Sequence, residues 1–414
     1  MDKRRVAITG LGVASSIGLG KDEFWQANLE GKSGVDFIKD FDTSLFNSKV
    51  AGQIKNFNPQ EYMPEEVSKR TDRVVHLGLA SAKMAFDDSR INLDKEDRNR
   101  IGVIFGSGLG GIIFHEEQMI RAYEKGAHRL NPLSVPRITP NAVSSQIAIY
   151  FNIFGPNMVV SNACASGTNA IGEAYRKIQN QEADIIFSGG AEASLSVFTF
   201  GAYDALRVLS SRDTPPQEAS CPFDKARDGF VLGEGAATLV LEELHHALNR
   251  GAHIYAEIIG YTANSGAYHM VIPQPSGRDI IQAMTDALKD AQIQPQDIQY
   301  INAHGTSTIQ NDNVETMAIK EVFGEYAYKI PVSSTKSMIG HSIGAAGAIE
   351  ALACCLAVKE QIIPPTINYK NPDPECDLDY VPGQPRQARL DAVLSNSFGF
   401  GSNNACLIFR RYNG

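Results

Sequence analysis

Cysteine and tryptophan are scarce in this sequence, and positive charge is not in excess. Six cysteines and one tryptophan are distributed over 414 residues. Apart from the adjacent pair Cys354 and Cys355 the cysteines are scattered, so they form neither a disulfide framework nor a metal-spaced cluster. The formal net charge of −9 argues against a surface built to bind nucleic acid or anionic lipid. An acidic partner can still bind a local basic patch.

Long apolar runs and nucleotide-binding motifs are also missing. No uncharged stretch reaches membrane-spanning length, and no signal-like apolar segment occurs near residue 1, so we expect a cytoplasmic protein. The Gly10-Leu-Gly stretch is not followed by the full glycine fingerprint of a dinucleotide fold. With 43% hydrophobic and 21% charged residues, the composition is typical of a soluble protein with two domains or one fused double domain.

Short apolar runs alternate with helical patterns along the chain. This alternation predicts an α/β layered fold in which buried, largely parallel strands are covered by helices. The predicted strands are residues 5–10, 101–106, 158–161, 184–189, 298–303, 330–333 and 392–395.

Two stretches of the chain share one pattern. Residues 157–172 and residues 329–350 each read as a strand, a turn of small residues and a helix rich in small residues. Each is followed by another buried strand that ends in glycine. The pattern predicts an internal duplication, with an N-terminal half over residues 1–250 and a C-terminal half over residues 251–414. Because ligands gather at the carboxyl ends of strands in open α/β sheets, one cleft can draw on both halves.

Cys164 lies where an apolar run gives way to a helical pattern, in Ser161-Asn-Ala-Cys-Ala-Ser-Gly-Thr. The pattern predicts that Cys164 lies in the first turn of a helix. Unsatisfied N–H groups and the positive end of the helix dipole lower the pKa of a thiol there and favour the nucleophilic thiolate. An isolated cysteine is more often an inert core residue, so the interpretation depends on its companions.

Two histidines and a lysine lie at other predicted strand ends. His304 lies in Ile301-Asn-Ala-His-Gly-Thr-Ser-Thr, and His341 and Lys336 lie in Ser334-Thr-Lys-Ser-Met-Ile-Gly-His. Each histidine alone more often has a structural role. Together with Cys164, at the strand ends of a duplicated fold, they predict one active site with a thiol nucleophile.

Several long motifs occur in the order found in one enzyme family. They are Arg5-Val-Ala-Ile-Thr-Gly-Leu-Gly, Asn162-Ala-Cys-Ala-Ser-Gly, Pro222-Phe-Asp-Lys-Ala-Arg-Asp-Gly-Phe-Val-Leu-Gly-Glu-Gly, Asn302-Ala-His-Gly-Thr-Ser-Thr, Ser334-Thr-Lys-Ser-Met-Ile-Gly-His and Asn396-Ser-Phe-Gly-Phe-Gly. Over essentially its full length the chain resembles the β-ketoacyl-acyl carrier protein synthases of the class II type, which are Cys-His-His condensing enzymes of the thiolase superfamily. The resemblance implies a thiolase-like fold, a duplicated five-layer α-β-α-β-α architecture.

The resemblance also implies the chemistry. Cys164 accepts an acyl chain from the phosphopantetheine of an acyl carrier protein and holds it as a thioester. Malonyl-acyl carrier protein then loses CO₂, and the enolate attacks that thioester to give a 3-ketoacyl product. His304 and His341 donate hydrogen bonds to the enolate oxygen. Neither a metal nor another cofactor is expected.

Further residues receive roles by the same resemblance. Phe400 matches the gating aromatic, and its backbone N–H and that of Cys164 would form the oxyanion hole for the acyl thioester. Lys336 would support the site together with Glu350, and Asp312 is a second supporting acid. Thr306 and Thr308 match positions that bind the phosphopantetheine arm.

The resemblance places two more groups of residues away from the reacting atoms. The acyl pocket would include Leu109, Ser134 and Tyr203, with Ser134 acting across the interface of a dimer. Docking of an acidic carrier protein would use Lys69, Arg70, Arg73 and Arg207.

The pathway remains open between two alternatives. Ile309-Gln-Asn-Asp and Asp373-Pro-Glu-Cys-Asp are similar to ketosynthase subunits of type II polyketide synthases that make aromatic or polyene products, which pair with a chain length factor. Asn396-Ser-Phe-Gly-Phe-Gly is instead the ending found in fatty acid elongation enzymes. The partner is accordingly either a second copy or a subunit resembling a chain length factor. A third alternative, a non-catalytic partner subunit, is disfavoured by the intact Cys164, His304, His341 and Lys336.

Overall fold

A computed structural model describes residues 3–414 of the chain. Its strands are β1 Val6–Ser15, β2 Gly18–Leu19, β3 Val35–Phe37, β4 Val50–Gly52, β5 Ile101–Gly106, β6 Asn157–Val160, β7 Ile185–Glu192, β8 Leu232–Gly233, β9 Gly235–Glu243, β10 Ala256–Ser265, β11 Tyr300–Asn302, β12 Val332–Ser333, β13 Ile362–Ile363, β14 Arg386–Gln387, β15 Ala392–Gly399 and β16 Asn403–Arg410. Its α-helices are α1 Lys21–Leu29, α2 Glu65–Arg70, α3 Arg73–Ser89, α4 Ile112–Lys125, α5 Ser134–Ile138, α6 Ala142–Phe151, α7 Ser166–Gln179, α8 Val197–Ala205, α9 Leu244–Asn249, α10 Arg278–Ala291, α11 Ile309–Phe323, α12 Lys336–Ile339 and α13 Ala346–Glu360. None of these helices is long and apolar enough to cross a membrane.

One strand order occurs twice in the main sheet. The sheet runs β12-β11-β15-β16-β10-β1-β9-β7-β5-β6. From the outer edge inward the order is β6, β5, β7, β9, β1 in the N-terminal half and β12, β11, β15, β16, β10 in the C-terminal half. If the strands of each half are numbered one to five along the chain, both orders read third, second, fourth, fifth, first. The two first strands, β1 and β10, meet through a short antiparallel pairing that includes Val6 opposite Ile258. This repeat supports the proposed division of the chain near residue 250.

The expectation of a largely parallel sheet is wrong for its centre. Within the main sheet, over the described residues, parallel pairing is confined to β5 with its neighbours β6 and β7, and to β11 with its neighbours β12 and β15. The strands between these groups, β9, β1, β10 and β16, pair antiparallel. The sequence interpretation missed β9, β10 and β16. All nine residues of β9 are buried, so its residues lack the apolar–polar alternation of a strand with one solvent face.

Helices cover and separate the two halves of the sheet. On one outer side α3 packs on β1, β9 and β7, and on the other α10 packs on β10 and β16. Between them, α7 contacts β5, β7 and β16, while α13 contacts β9 and β15, so both helices touch strands of both halves. Three large apolar clusters fill the spaces between these layers. The result is the five-layer α-β-α-β-α architecture.

The two middle helices pack closely because small residues face each other. A Cβ added to Gly347 would lie 1.9 Å from Thr168 Oγ1, and one added to Gly167 would lie 2.9 Å from the backbone nitrogen of Ala348. Thr168 also shares a 2.6 Å hydrogen bond with Ser397 of β15. The beginnings of α7 and α13 are thereby held together at the centre of the molecule.

His246 in α9 joins two carboxylates in the N-terminal half. Its Nδ1 lies 2.6 Å from Glu242 Oε1, and its Nε2 lies 2.8 Å from Glu96 Oε2. The hydrogen bond with Glu242 and the charges of both carboxylates raise the pKa of His246 to about 9, although burial opposes this. His246 is therefore protonated at neutral pH and links α9 to β9 and to the loop before β5.

We expect the His246→Gln substitution to lower the free energy of unfolding by about 1–3 kcal/mol near pH 6. Since the folded-state pKa is raised, the stabilisation is complete below the ordinary pKa of 6.5 and is lost as the pH rises through about 9. Urea denaturation at either end of this range measures the difference, with the exposed neighbour His245→Gln as the matched control. A difference from wild type that is equally large at both ends would contradict this account.

Candidate active site

Three chemically active side chains meet at the carboxyl ends of three strands. Cys164 follows β6, His304 follows β11, and His341 follows β12 and the short helix α12. The Cys164 sulfur and one nitrogen of each imidazole lie within 4.8 Å of one another. The exposed fractions of these residues are only 5%, 2% and 2%. The structure thus brings together, from both halves of the chain, the residues that the sequence analysis expected to share a site.

A cavity of about 440 Å³ opens onto these three side chains. Its walls come from the ends of β6, β11 and β15, from α8 and from the loop before α10. The predicted residues that line it are Cys164, Tyr203, Arg207, His304, Thr306, Thr308, His341 and Phe400. Leu109 and Ser134, expected in the acyl pocket, lie outside this cavity and are half-buried.

Cys164 lies in a tight turn immediately before α7, rather than in the first turn of the helix. The turn is a 3₁₀ segment, Ala163–Ala165, and a second one, Ile343–Ala345, precedes α13 in the other half. Both turns contain a left-handed residue, Ala163 with φ 47° and Ile343 with φ 42°. Left-handed backbone is rare for a β-branched residue and persists only where surrounding contacts hold it. The internal duplication therefore extends to the two turns that flank the site.

The prediction of a lowered thiol pKa is wrong. Burial raises the pKa of Cys164 to about 11, and the negative charge of Glu192 adds to this effect. Hydrogen bonds from the backbone N–H groups of Phe400 and Cys164, together with the charge of Lys336, lower the pKa but do not outweigh burial. Loss of water around the sulfur destabilises the thiolate more than these donors stabilise it. Cys164 is accordingly a neutral thiol before substrate binds.

The hydrogen bonds of the two imidazoles fix which nitrogen carries the proton. His341 Nδ1 accepts a 3.2 Å hydrogen bond from the backbone N–H of Ile343, so the proton of a neutral ring is on Nε2. His304 Nδ1 lies 3.3 Å from Lys336 Nζ, which can only donate, so Nε2 again carries the proton. Burial and the charge of Lys336 hold the pKa of both histidines well below the ordinary value. Both rings are therefore neutral donors through Nε2–H.

Lys336 holds His304 from behind the cavity. Its ammonium group donates to the backbone carbonyl of His304 at 2.7 Å and forms a short ion pair with Glu350 of α13. Both side chains are 1% exposed. Burial raises the pKa of Glu350 to about 7, while Lys336 opposes the rise. Removing either partner would leave an isolated buried charge. Lys336 does not line the cavity and contacts His304 from the side away from it.

Two acids of α11 hold the loop that carries His304. Asp312 accepts hydrogen bonds from the backbone N–H groups of Thr306, at 3.0 Å, and Phe223, at 2.8 Å. Glu315, one turn later, accepts from the N–H groups of His304 and Gly305, both at 2.8 Å. Asp312 is among the residues that the resemblance predicts for the site, whereas Glu315 is not. The spacing of three residues, which places Glu315 on the same face of α11 as Asp312, is the sequence feature that points to it.

The two threonines form a hydroxyl pair on the cavity wall. Thr306 Oγ1 and Thr308 Oγ1 lie 2.9 Å apart, and Thr308 also caps the beginning of α11. Both hydroxyls can donate or accept. Arg207, exposed at the end of α8, lines the same cavity.

The residues predicted to dock a carrier protein differ in exposure and in ion pairing. Lys69 and Arg70 lie exposed at the end of α2. Arg73 instead forms a bidentate pair with the buried carboxylate of Glu234, with contacts of 2.7 and 2.6 Å. That pair neutralises Arg73. Lys69 forms a 2.7 Å ion pair with Glu65, one helical turn earlier. Of these three described residues, Arg70 is the one without an ion-pair partner.

A buried carboxylate that the sequence analysis missed lies behind the cavity. Glu192, the last residue of β7, is 0% exposed. It accepts backbone hydrogen bonds from Gly108, Leu109 and Gly344, at 2.7, 3.2 and 3.1 Å. Burial raises the pKa of Glu192 to about 7, and the three N–H groups oppose the rise.

Cys164, His304 and His341 are also the one group of three side chains in residues 3–414 whose atoms are close enough to ligate a metal ion. The ammonium group of Lys336 lies 3.3 Å from His304 Nδ1. A positive charge at that distance disfavours a divalent cation. The arrangement is better suited to developing negative charge on a substrate oxygen.

Comparisons with known proteins agree on one family. The family models for the beta-ketoacyl synthase N-terminal and C-terminal domains match residues 3–247 and 255–370. The 3-oxoacyl-[acyl-carrier-protein] synthase 2 of Synechocystis sp. is 44% identical over 412 residues, which covers 100% of this chain and 99% of that protein. The enzyme of the same name from Coxiella burnetii is also 44% identical, with 99% of each chain covered.

Solved ketosynthase structures have the same fold as this chain. A ketosynthase bound to the hexaketide, in complex with its type II polyketide synthase acyl-carrier protein, is 37% identical with a TM-score of 0.92, covering 99% of this chain and 100% of that one. The ishigamide ketosynthase/chain length factor is 35% identical, with the same TM-score and coverage. This chain belongs to the β-ketoacyl synthase family and has its thiolase-like fold.

We expect alkylation of Cys164 by iodoacetamide to become steadily faster from neutral pH to about pH 10, because the pKa of the thiol is raised to about 11. Peptide mass spectrometry after timed exposure measures the rate. The other five cysteines are buried away from the cavity and serve as internal controls. A rate that is already maximal near pH 7 would show that the site holds a thiolate and would contradict the account.

Proposed function

We propose that this protein catalyses decarboxylative condensation of an acyl thioester, held on Cys164, with malonyl-acyl carrier protein. The products are 3-ketoacyl-acyl carrier protein and CO₂. The observation that carries the proposal is the convergence of one thiol and two imidazoles, with the sulfur and one nitrogen of each ring within 4.8 Å of one another at buried positions. A thiol can form the thioester, and paired donors can stabilise an enolate.

The first step moves the acyl chain to Cys164. The sulfur attacks the carbonyl carbon of the acyl thioester, the new S–C bond forms, and the bond to the pantetheine sulfur breaks. The thiol proton passes to the departing pantetheine sulfur, so no charge accumulates overall. The N–H groups of Cys164 and Phe400, which already contact the sulfur, are placed to donate to the carbonyl oxygen as it becomes negative. A neutral thiol at rest fits this exchange, since the nucleophile before the step and the leaving group after it are both thiols.

The second step forms the carbon–carbon bond. The malonyl C–CO₂ bond breaks, its electron pair forms an enolate, and CO₂ leaves. His304 and His341 donate through Nε2–H to the enolate oxygen. The enolate carbon then attacks the thioester on Cys164, and the released thiolate takes up a proton from solvent. Neutral imidazoles suit this role, because each can donate a hydrogen bond to the enolate oxygen without itself carrying a positive charge.

Chain elongation in fatty acid synthesis is the pathway we assign. The full-length relatives at 42–44% identity are named 3-oxoacyl-[acyl-carrier-protein] synthase 2. The ketosynthase subunit of a type II polyketide synthase is the second candidate. One solved structure, at 37% identity, is a ketosynthase with its type II polyketide synthase acyl-carrier protein, and another, at 35%, is the ishigamide ketosynthase/chain length factor. A non-catalytic partner subunit is the third and is disfavoured by the complete set of reactive residues.

The partners are part of the same proposal. An acyl carrier protein docks at the basic end of α2 and at Arg207, where the cavity opens.

A second copy, or a chain length factor in the polyketide alternative, packs against β6, the edge strand of the main sheet. Met158 in that strand and Val135 in α5 leave apolar surface exposed for such an interface. Leu109 then lines the acyl pocket, and Ser134 lies at its far end across this interface. The substrates arrive on phosphopantetheine, no other cofactor is required, and the location is cytoplasmic.

We expect the Cys164→Gln variant to release CO₂ from malonyl-acyl carrier protein without forming a 3-ketoacyl product. The amide oxygen of Gln occupies the oxyanion hole, while both histidines remain. In that background, His304→Ala or His341→Ala should each lower CO₂ release by about 10²–10³-fold, since each removes one donor. Release of ¹⁴CO₂ measures the rate, and His245→Ala is the surface control. CO₂ release that is unaffected by both histidine substitutions would contradict the proposed function.

A further inference from the structure

Glu192 is a buried carboxylate that the proposed reaction does not use. It lies at the end of β7 and does not line the cavity. Its Oε2 accepts from the N–H groups of Gly108, at 2.7 Å, and Gly344, at 3.1 Å, and its Oε1 accepts from Leu109 at 3.2 Å. One carboxylate therefore ties the loop after β5, in the N-terminal half, to the turn before α13, in the C-terminal half.

The turn that Glu192 holds is the one that fixes His341. Two successive backbone N–H groups of this turn donate to different acceptors. That of Ile343 donates to His341 Nδ1 at 3.2 Å, and that of Gly344 donates to Glu192. Ile343 has φ 42°, an unfavourable conformation for a β-branched residue. Such a turn relaxes unless neighbouring groups restrain it. If it relaxes, the N–H of Ile343 leaves His341, and both the ring orientation and the tautomer lose their restraint.

We propose that Glu192 is a positioning residue for the condensation, acting through the Ile343–Gly344 turn to keep His341 Nε2–H directed at the enolate oxygen. The inference rests on the proposed function, because it concerns the donor that stabilises the enolate. It assigns the effect to the hydrogen bonds of the side chain and not to its charge.

Substitutions at two positions separate these contributions. Glu192→Gln keeps an oxygen for Gly108 and Gly344 but removes the charge and the acceptor for Leu109 N–H. Glu192→Ala removes the whole link. Gly344→Ala breaks the link from the other side, since the added Cβ would lie 2.7 Å from Glu192 Oε2 and 2.5 Å from the nitrogen of Gly108. The Cys164→Gln background removes the thiol, so that effects of Glu192 on the thiol do not enter the measurement.

In that background, Glu192→Ala should lower kcat for CO₂ release about tenfold or more, with KM for malonyl-acyl carrier protein changed less than about threefold. Glu192→Gln should stay within about threefold of the parent. Gly344→Ala should lower kcat as much as Glu192→Ala does. The double variant should have a kcat no lower than either single variant, because both substitutions break the same interaction. The ¹⁵N shifts of His341 should report the Nε2–H tautomer in the parent and in Glu192→Gln, and a mixture of tautomers in Glu192→Ala.

Three results would overturn the proposal: an unchanged kcat in Glu192→Ala, an equal loss in Glu192→Gln and Glu192→Ala, or additive losses in the combined variant. If Glu192→Ala does not fold, Gly344→Ala compared with Glu192→Gln decides between the same outcomes. A parent that releases no CO₂ contradicts the proposed function and this inference with it. An active parent with insensitive variants contradicts this inference alone.

Discussion

The close packing of α7 against α13 is the constraint on which the rest of the site depends. Glycines at 167 and 347 remove the side chains that would separate the two helices, so their backbones meet and the turns before them come into contact. One turn carries Cys164, and the other carries the N–H that orients His341. A larger residue at either glycine would move the thiol away from its donors. Since misplacement by about 1 Å can lower a rate about a hundredfold, this packing is a catalytic requirement as well as a structural one.

Burial then determines the electrostatics of the site. It keeps Cys164 a thiol and both histidines neutral, because each charged form would lose its hydration. Lys336 and Glu350 are paired with each other behind the cavity. A buried ion pair contributes little net stability. Its contribution here is to hold the backbone and ring of His304. Neutral donors at buried positions stabilise negative charge more effectively than the same donors in water.

The convergence of three side chains at one site could be predicted from sequence, because strand ends in a duplicated α/β fold converge. Cys164, His304 and His341 each follow an apolar run, and the small-residue helices after two of them repeat. The antiparallel centre of the sheet could not be predicted in the same way, since β9 is buried along its whole length and carries no periodic signal. The acids Glu192 and Glu315 read as ordinary polar positions until the fold shows which N–H groups they bind. The pairing of Arg73 with Glu234 and the raised pKa of Cys164 depend on contacts and burial that spacing along the chain does not encode.

The central claim is that Cys164 carries the acyl chain in a two-step condensation. Intact-mass and peptide mass spectrometry of the purified protein after incubation with acyl-carrier proteins of varied chain length tests this claim most directly, with Cys164→Ala treated in parallel. The account predicts one acyl adduct on the Cys164 peptide, absent from the variant, and its loss as 3-ketoacyl-acyl carrier protein when malonyl-acyl carrier protein is added. An adduct that persists in Cys164→Ala, or a wild-type adduct that malonyl-acyl carrier protein does not discharge, would contradict it.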